Sequence, residues 1–235
     1  MEDLSSNPAL ADATDAERRR FLTARKQDVG AATTMLQRYL AWRRSTLPLA
    51  EGEPRLGEEL LPWMRFHGRA RDQTRIVHMQ GAMYDPTAAT PQQWAHATAQ
   101  EFDSNICRDS MEKVSLLVDV RGDEAWPNRP GRQFVPVVRA VSKVLGDNFP
   151  ERLHRLVVYP VPWAGVAVWK ACQPFVDTTT AQKVVLIHGP SKRGAPCPPE
   201  LGEYVDYDQI SEDRRHRHVS LLAANAENVA PTNGA

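Results

Sequence analysis

The chain has 235 residues, 42% of them hydrophobic and 25% charged, with 29 Lys plus Arg against 29 Asp plus Glu. That length suits one large domain or one domain with a small helical extension, and that apolar share can fill a sizeable core. The balanced charge speaks against a nucleic-acid binder, which needs a basic excess or stripe; three widely spaced cysteines without a CxxC give neither a disulfide framework nor a zinc site.

The N-terminus, MEDLSSNPALADATDAERRR, has no apolar h-region. It is not read as a secretory signal, and with the cysteine usage this points to a reducing cytoplasm. Residues 1–14 and 211–235 are poor in bulky apolar side chains and are expected to be flexible tails. Residues 15–50 form a helical N-terminal lobe. A short helix carries DAERRRFLTAR. The next, DVGAATTMLQRYLAWRR, places Val29, Ala32, Met35, Leu36, Tyr39 and Leu40 on one stripe, with Asp28 as cap and Pro48 closing it.

Residues 60–210 alternate between strands and helices. RIVHMQGAM reads as a strand, and TPQQWAHATAQEFDSNICRDS as a helix with Thr90 as cap and Pro91 in its first position. VSLLVDV is a near-continuous apolar strand of the type buried on both faces. GRQFVPVVRAVSKVLGDNF is helical, with Val138, Val141, Val144 and Leu145 on one face. RLVVYPV is a strand, WAGVAVWKACQPF a helix and QKVVLIHG a strand, followed by the loop GPSKRGAPCPPE. The order predicts an α/β fold with a mostly parallel sheet and right-handed crossovers.

Chemical motifs are sparse. The sequence holds no GxGxxG after a strand, no GxxxxGK[ST], no GxSxG and no HExxH, so it is read as a non-enzyme without a catalytic residue, metal site or cofactor. Asp119 and His188 end strands, where α/β sheets hold sites, but a lone Asp there is more often a cap and His188 has no paired nucleophile. RRHRH (Arg214–His218) is a solvated charge run or a contact for anionic lipid. The stretch LVVYPVPWAGVAVW runs fourteen residues without a charge. A spanning helix needs ~20 apolar residues, and ~10–14 marks a core helix or an interfacial segment. From the residues alone, both remain open.

Three passages carry a resemblance. FLTARKQDVGAATTMLQRYLAWRR resembles the N-terminal element of the CRAL-TRIO lipid-binding family, VSLLVDVRG its central strand, and DNFPERLHRLVVYPVPWAGVAVWKACQPFVDTTTAQKVVLI its most specific segment. They keep the family's order and cover roughly Asp15 to Gln209. The resemblance implies a helical lobe packed on an α/β lobe whose flanking helices form a hydrophobic pocket for one lipid. Leu156–Val161 would be a floor strand and Pro162–Phe175 a mobile gate helix, with Trp163, Val166, Trp169 and Phe175 facing pocket or bilayer. The tryptophans suit a membrane interface, so transient peripheral membrane contact is expected.

The phosphatidylinositol-transfer branch of that family binds its headgroup from positions that match Arg25, Glu151, Arg152, Thr180 and Lys183. The phosphate would take the basic donors and the ring hydroxyls the acceptors. The ligand implied is thus phosphatidylinositol, held for transfer or for presentation to a partner such as a lipid kinase. Another apolar ligand (sterol, tocopherol or retinoid) and a lipid-free scaffold are the alternatives. The sequence departs from the pattern in three places. Val114 and Leu116 stand where relatives that also carry phosphatidylcholine have hydroxyls, with Ser115 expected on the opposite face. Pro160 precedes the gate and should end its strand. PCPPELGEYVDY is a weak version of the family's C-terminal brace.

Overall fold

The computed structural model describes residue 4 and residues 7–55, 63–122 and 128–210. Helix α1 (Asp15–Ala24) opens on a capping box. The Glu17 N–H donates to the Thr14 hydroxyl at 3.1 Å, and the Thr14 N–H donates to the Glu17 carboxylate at 2.9 Å. Helix α2 (Val29–Thr46) starts at Asp28, whose carboxylate accepts from the Ala31 N–H. It buries Ala32, Met35, Leu36, Tyr39 and Leu40, the expected stripe without Val29, which is exposed. These residues pack on Phe21 and also on Leu4, Leu10 and Ala13. The expected tail 1–14 is therefore corrected in its described part: its few apolar side chains complete the small core of the lobe, because two short helices alone cannot bury one. The expected tail 211–235, with Arg214–His218, lies outside the described residues.

The sheet has five strands in chain order: β1 (Met64–Arg69), β2 (Arg75–Gln80), β3 (Val114–Asp119), β4 (Leu153–Val161) and β5 (Val184–His188). β1 is antiparallel to β2 and the other pairs are parallel. Sequence patterning missed β1. Its basic residues Arg65, His67 and Arg69 mask the alternation, as charges commonly do on an edge strand. RIVHMQGAM ends as a strand at Gln80 and passes into a single 3-10 turn at Gly81–Met83.

Helix α3 (Pro91–Asn105), capped by Thr90 with a second capping box, joins β2 to β3. Helix α4 (Phe134–Asn148) joins β3 to β4. Helix α5 (Trp163–Cys172) and the one-turn α6 (Thr178–Ala181) join β4 to β5. When neighbouring parallel strands follow in chain order, right-handed crossovers put all their helices on one face. On that face Trp94, Ala97, Phe102 and Val137 cover Val77, Met79 and Val114. The opposite face is left for the C-terminal segment: Leu201, Val205 and Ile210 close over Ile76, Leu117, Val157, Tyr159 and Ile187. The weak sequence brace thus forms a working one. Ser115 points to this second face, its hydroxyl 2.6 Å from that of Thr74, as strand alternation requires. Pro160 sits in the register irregularity between Val158 and Val161, where its missing N–H costs no ladder bond.

Candidate functional site

On the helix-bearing face, register aligns two apolar rungs. One runs Val77, Leu116, Leu156, Val184; the other runs Met79, Val118, Val158, Leu186. The β2 members are fully buried beneath α3 and α4, whereas those on β3, β4 and β5 are only half-buried. Leu156 to Val161 spans roughly 16 Å at ~3.3 Å per residue, close to the ~15 Å acyl thickness of one leaflet. This apolar floor lacks the close cover that a parallel sheet ordinarily receives from its crossover helices.

The helix above it explains the deficit. Lys170 is the only charge in α5, yet Cys172 is the only residue it buries. Trp163 is 84% exposed and Phe175, in the following 3-10 turn, is 38% exposed; Val166, Val168 and Trp169 are half-buried. The contacts of this element and its following turn include three light ones. The Trp163 ring stacks on His188 at 5.1 Å. Val168 leans on Gly131, where an added Cβ would lie 2.3 Å from its Cγ2. The Arg139 guanidinium lies 4.9 Å from the Phe175 ring centre. An ordinary core helix would bury its apolar residues; this one leaves them half-covered or open.

The opposite end of the floor is polar. Glu151 precedes β4 in a left-handed turn (φ 61°) and pairs with Lys113 at 3.4 Å. Lys183 precedes β5 and donates its Nζ to the Leu153 carbonyl at 2.9 Å. Thr180 lies in α6, its carbonyl accepting from the Lys183 N–H at 3.0 Å. The structure thus gathers Glu151, Thr180 and Lys183 at the N-terminal edge of β4 and β5. It adds Asp177, which the sequence reading passed over. Burial pushes the Asp177 carboxyl upward, but hydrogen bonds from Thr180 and Thr179 and the Lys183 charge outweigh it and hold it below the usual range. Asp177 also caps α6 through the Thr180 N–H at 2.9 Å, and its D-T-T-T context was a legible cap signal.

Two of the expected headgroup residues stand apart. Arg152 is 3% exposed. Its guanidinium donates to the carbonyls of Cys107, Ser110 and Glu112 at 2.8–3.0 Å. Burial, with Arg20 nearby, pushes it down to about 10, so it remains a cation at neutral pH and braces the turn between α3 and β3. Arg25 is exposed beyond the end of α1, and no contact among the described residues ties it to Glu151 or Lys183. Asp119 is likewise structural: it is buried and takes a bidentate Arg121 at 2.7 and 3.0 Å. Among the described residues, no cluster could hold a metal ion and no helix is long and apolar enough to cross a membrane.

The family model described as CRAL/TRIO domain matches residues 64–213. The phosphatidylinositol transfer protein PDR17 of Saccharomyces cerevisiae is 23% identical over 71% of this chain and 50% of its own length. The phosphatidylinositol/phosphatidylcholine transfer protein SFH4 of Arabidopsis thaliana is 23% identical over 82% of this chain and 34% of its own. The chain therefore spans half or less of the length of these curated relatives. The crystal structure of Sfh5 superposes with a TM-score of 0.60 at 17% identity, covering 94% of this chain and 83% of that one; it shares the fold.

Proposed function

The chain belongs to the CRAL/TRIO domain family, and on that premise we propose that it is a carrier, not an enzyme, holding one phospholipid on the floor beneath α5. The observation that carries this reading is the pairing of a half-buried apolar floor with an apolar helix that buries one residue. A lipid chain laid along Leu156, Val158 and Leu186 supplies the missing cover, and α5 moves aside to admit it. Phosphatidylinositol is the headgroup the polar end favours. Lys183 and Lys113 offer phosphate donors, and Glu151 and Asp177 offer acceptors for ring hydroxyls. Acyl chains leave one apolar medium for another, so headgroup contacts set the choice of lipid. Val114 and Leu116 offer the floor no hydroxyl, so phosphatidylcholine is not expected to exchange through contacts there.

In this reading the protein works in the cytoplasm, touches membranes transiently through α5, and transfers its lipid or presents it to a kinase. Lipid mass spectrometry on protein purified from a eukaryotic host is the direct test, with about one phosphatidylinositol per chain expected. A charge-assisted hydrogen bond contributes ~1.5–3 kcal/mol, so Lys183→Ala should weaken phosphatidylinositol binding about 10- to 100-fold, and Glu151→Ala should weaken it in the same direction. Unchanged binding in both variants would sink the headgroup assignment. One observation favours a second reading, a sterol, tocopherol or retinoid carrier: Lys183 and Glu151 already have protein partners. Recovery of such a ligand in place of phospholipid would establish it.

A further inference from the structure

Charge along this chain is not evenly spread. From residue 128 to 199 the sequence holds ten Lys or Arg against three acids, although the whole chain balances 29 against 29. The three acids are Asp147, Glu151 and Asp177. Asp147 lies in the last turn of α4, Glu151 precedes β4 and Asp177 caps α6, at the polar end of the floor and away from Trp163. The elements around α5 carry basic residues instead. Lys170 lies on α5 itself. Arg132 follows Gly131, the residue on which Val168 rests. Arg139 lies over Phe175. Lys192 sits in the turn after His188, on which Trp163 stacks, and that turn is joined to Asn128 through Ser191. All four are exposed, and none forms an ion pair among the described residues. Arg129 is different, because Asp85 takes it at 3.0 Å.

An exposed apolar helix that starts at a bare tryptophan and is flanked by cations along its length matches one partner class. The indole enters the headgroup layer with its N–H still wet. Each Lys or Arg within a Debye length of an anionic leaflet strengthens binding roughly fivefold. A neutral leaflet would use the indole and leave the flanking charge without a partner. An acidic protein would use the charge, but an apolar helix that must leave its seat needs an apolar medium to enter.

We propose that Arg132, Arg139, Lys170 and Lys192 form a docking rim along α5 for a membrane leaflet rich in anionic phospholipid. The rim thus selects the membrane at which α5 opens, independently of the lipid in the pocket. This rests on the reading of α5 as the gate. The test is flotation of the full chain with vesicles of phosphatidylcholine alone, or of phosphatidylcholine and phosphatidylserine in equal parts. The anionic vesicles should be preferred by on the order of 600-fold at about 0.15 M salt, and the preference should collapse at about 1 M. The double variant Arg132→Gln/Lys192→Gln should bind anionic vesicles roughly 25-fold more weakly. It should bind neutral vesicles as before, with the same unfolding midpoint and the same co-purified lipid. Equal binding to both vesicles, or an unchanged double variant, overturns the rim and leaves the gate standing. Binding to neither vesicle overturns both. Trp163→Ser separates them: it should lower binding to both vesicle types, and if it lowers neither while the anionic preference persists, the gate reading fails.

Discussion

On one face of the sheet, Leu117, Val157 and Ile187 lie beneath Leu201, Val205 and Ile210, and none of the six is more than 5% exposed. On the other face, Leu116, Val118, Leu156, Val158 and Leu186 are as apolar but only half-buried. Composition does not separate the two sets. What separates them is their cover: an irregular C-terminal segment that commits its apolar side chains, against a regular helix that withholds most of its own. Tight packing is how an interior gains stability, so the loosely packed face contributes less to the fold and is the one on which the proposed lipid would lie.

The sharpest way to break this comparison is to truncate one residue on each face. Leu117→Ala should cost about 2–5 kcal/mol of unfolding free energy, as a fully buried leucine does. Leu186→Ala should cost only about 1 kcal/mol, because a half-buried side chain loses less transfer energy and leaves no closed cavity. Equal losses in denaturant titration would mean that the two faces are packed alike.

Next in size is the contrast between Arg152 and Lys183. Arg152→Ala leaves the carbonyls of Cys107, Ser110 and Glu112 without their donor and should destabilise the fold by about 2–3 kcal/mol. Lys183→Ala should cost about 1 kcal/mol of stability while carrying the larger loss in phosphatidylinositol binding. A stable Arg152→Ala protein that no longer binds lipid would return that residue to the headgroup.

The junction of the lobes gives a pH test that the pocket does not share. Burial pushes the Glu17 carboxyl up, but Arg108 at 2.9 Å, the Tyr39 hydroxyl and the Thr14 N–H together hold it below its ordinary 4.5. The same contact, with burial, pushes Tyr39 up to about 12. A depressed carboxylate stabilises the fold fully above 4.5 and progressively less as pH falls through its folded value. Acid unfolding below about pH 4.5 should therefore be steeper in the natural protein than in Glu17→Gln, read from midpoints across pH.

The smallest expected effect on stability is also informative. Trp163→Ser removes an 84% exposed side chain and should move stability by less than about 0.5 kcal/mol, yet slow lipid transfer between vesicles. A large stability loss would mean that the indole belongs to the core.

Much of this was legible in the sequence because it is local. Thr14, Asp28 and Thr90 cap their helices through residues three positions away. The VSLLVDV and RLVVYPV runs announce buried strands, and the ordered motifs of residues 15–209 identify the family. Hydrogen bonds of this reach, and apolar period, depend only on near neighbours in the chain. The tertiary structure decided what depends on distant ones. It set Arg152 into the frame and left Lys183 at the polar end, although both sit in the same motif-bearing segment. It drew Leu4 and Leu10 into the N-terminal core and revealed β1 at the sheet edge. Above all it left α5 unburied. Nothing in WAGVAVWKAC distinguishes a buried helix from an exposed one. Right-handed crossovers stack three helices on one face, and how much of that face remains for the last of them is settled only when all the others have packed.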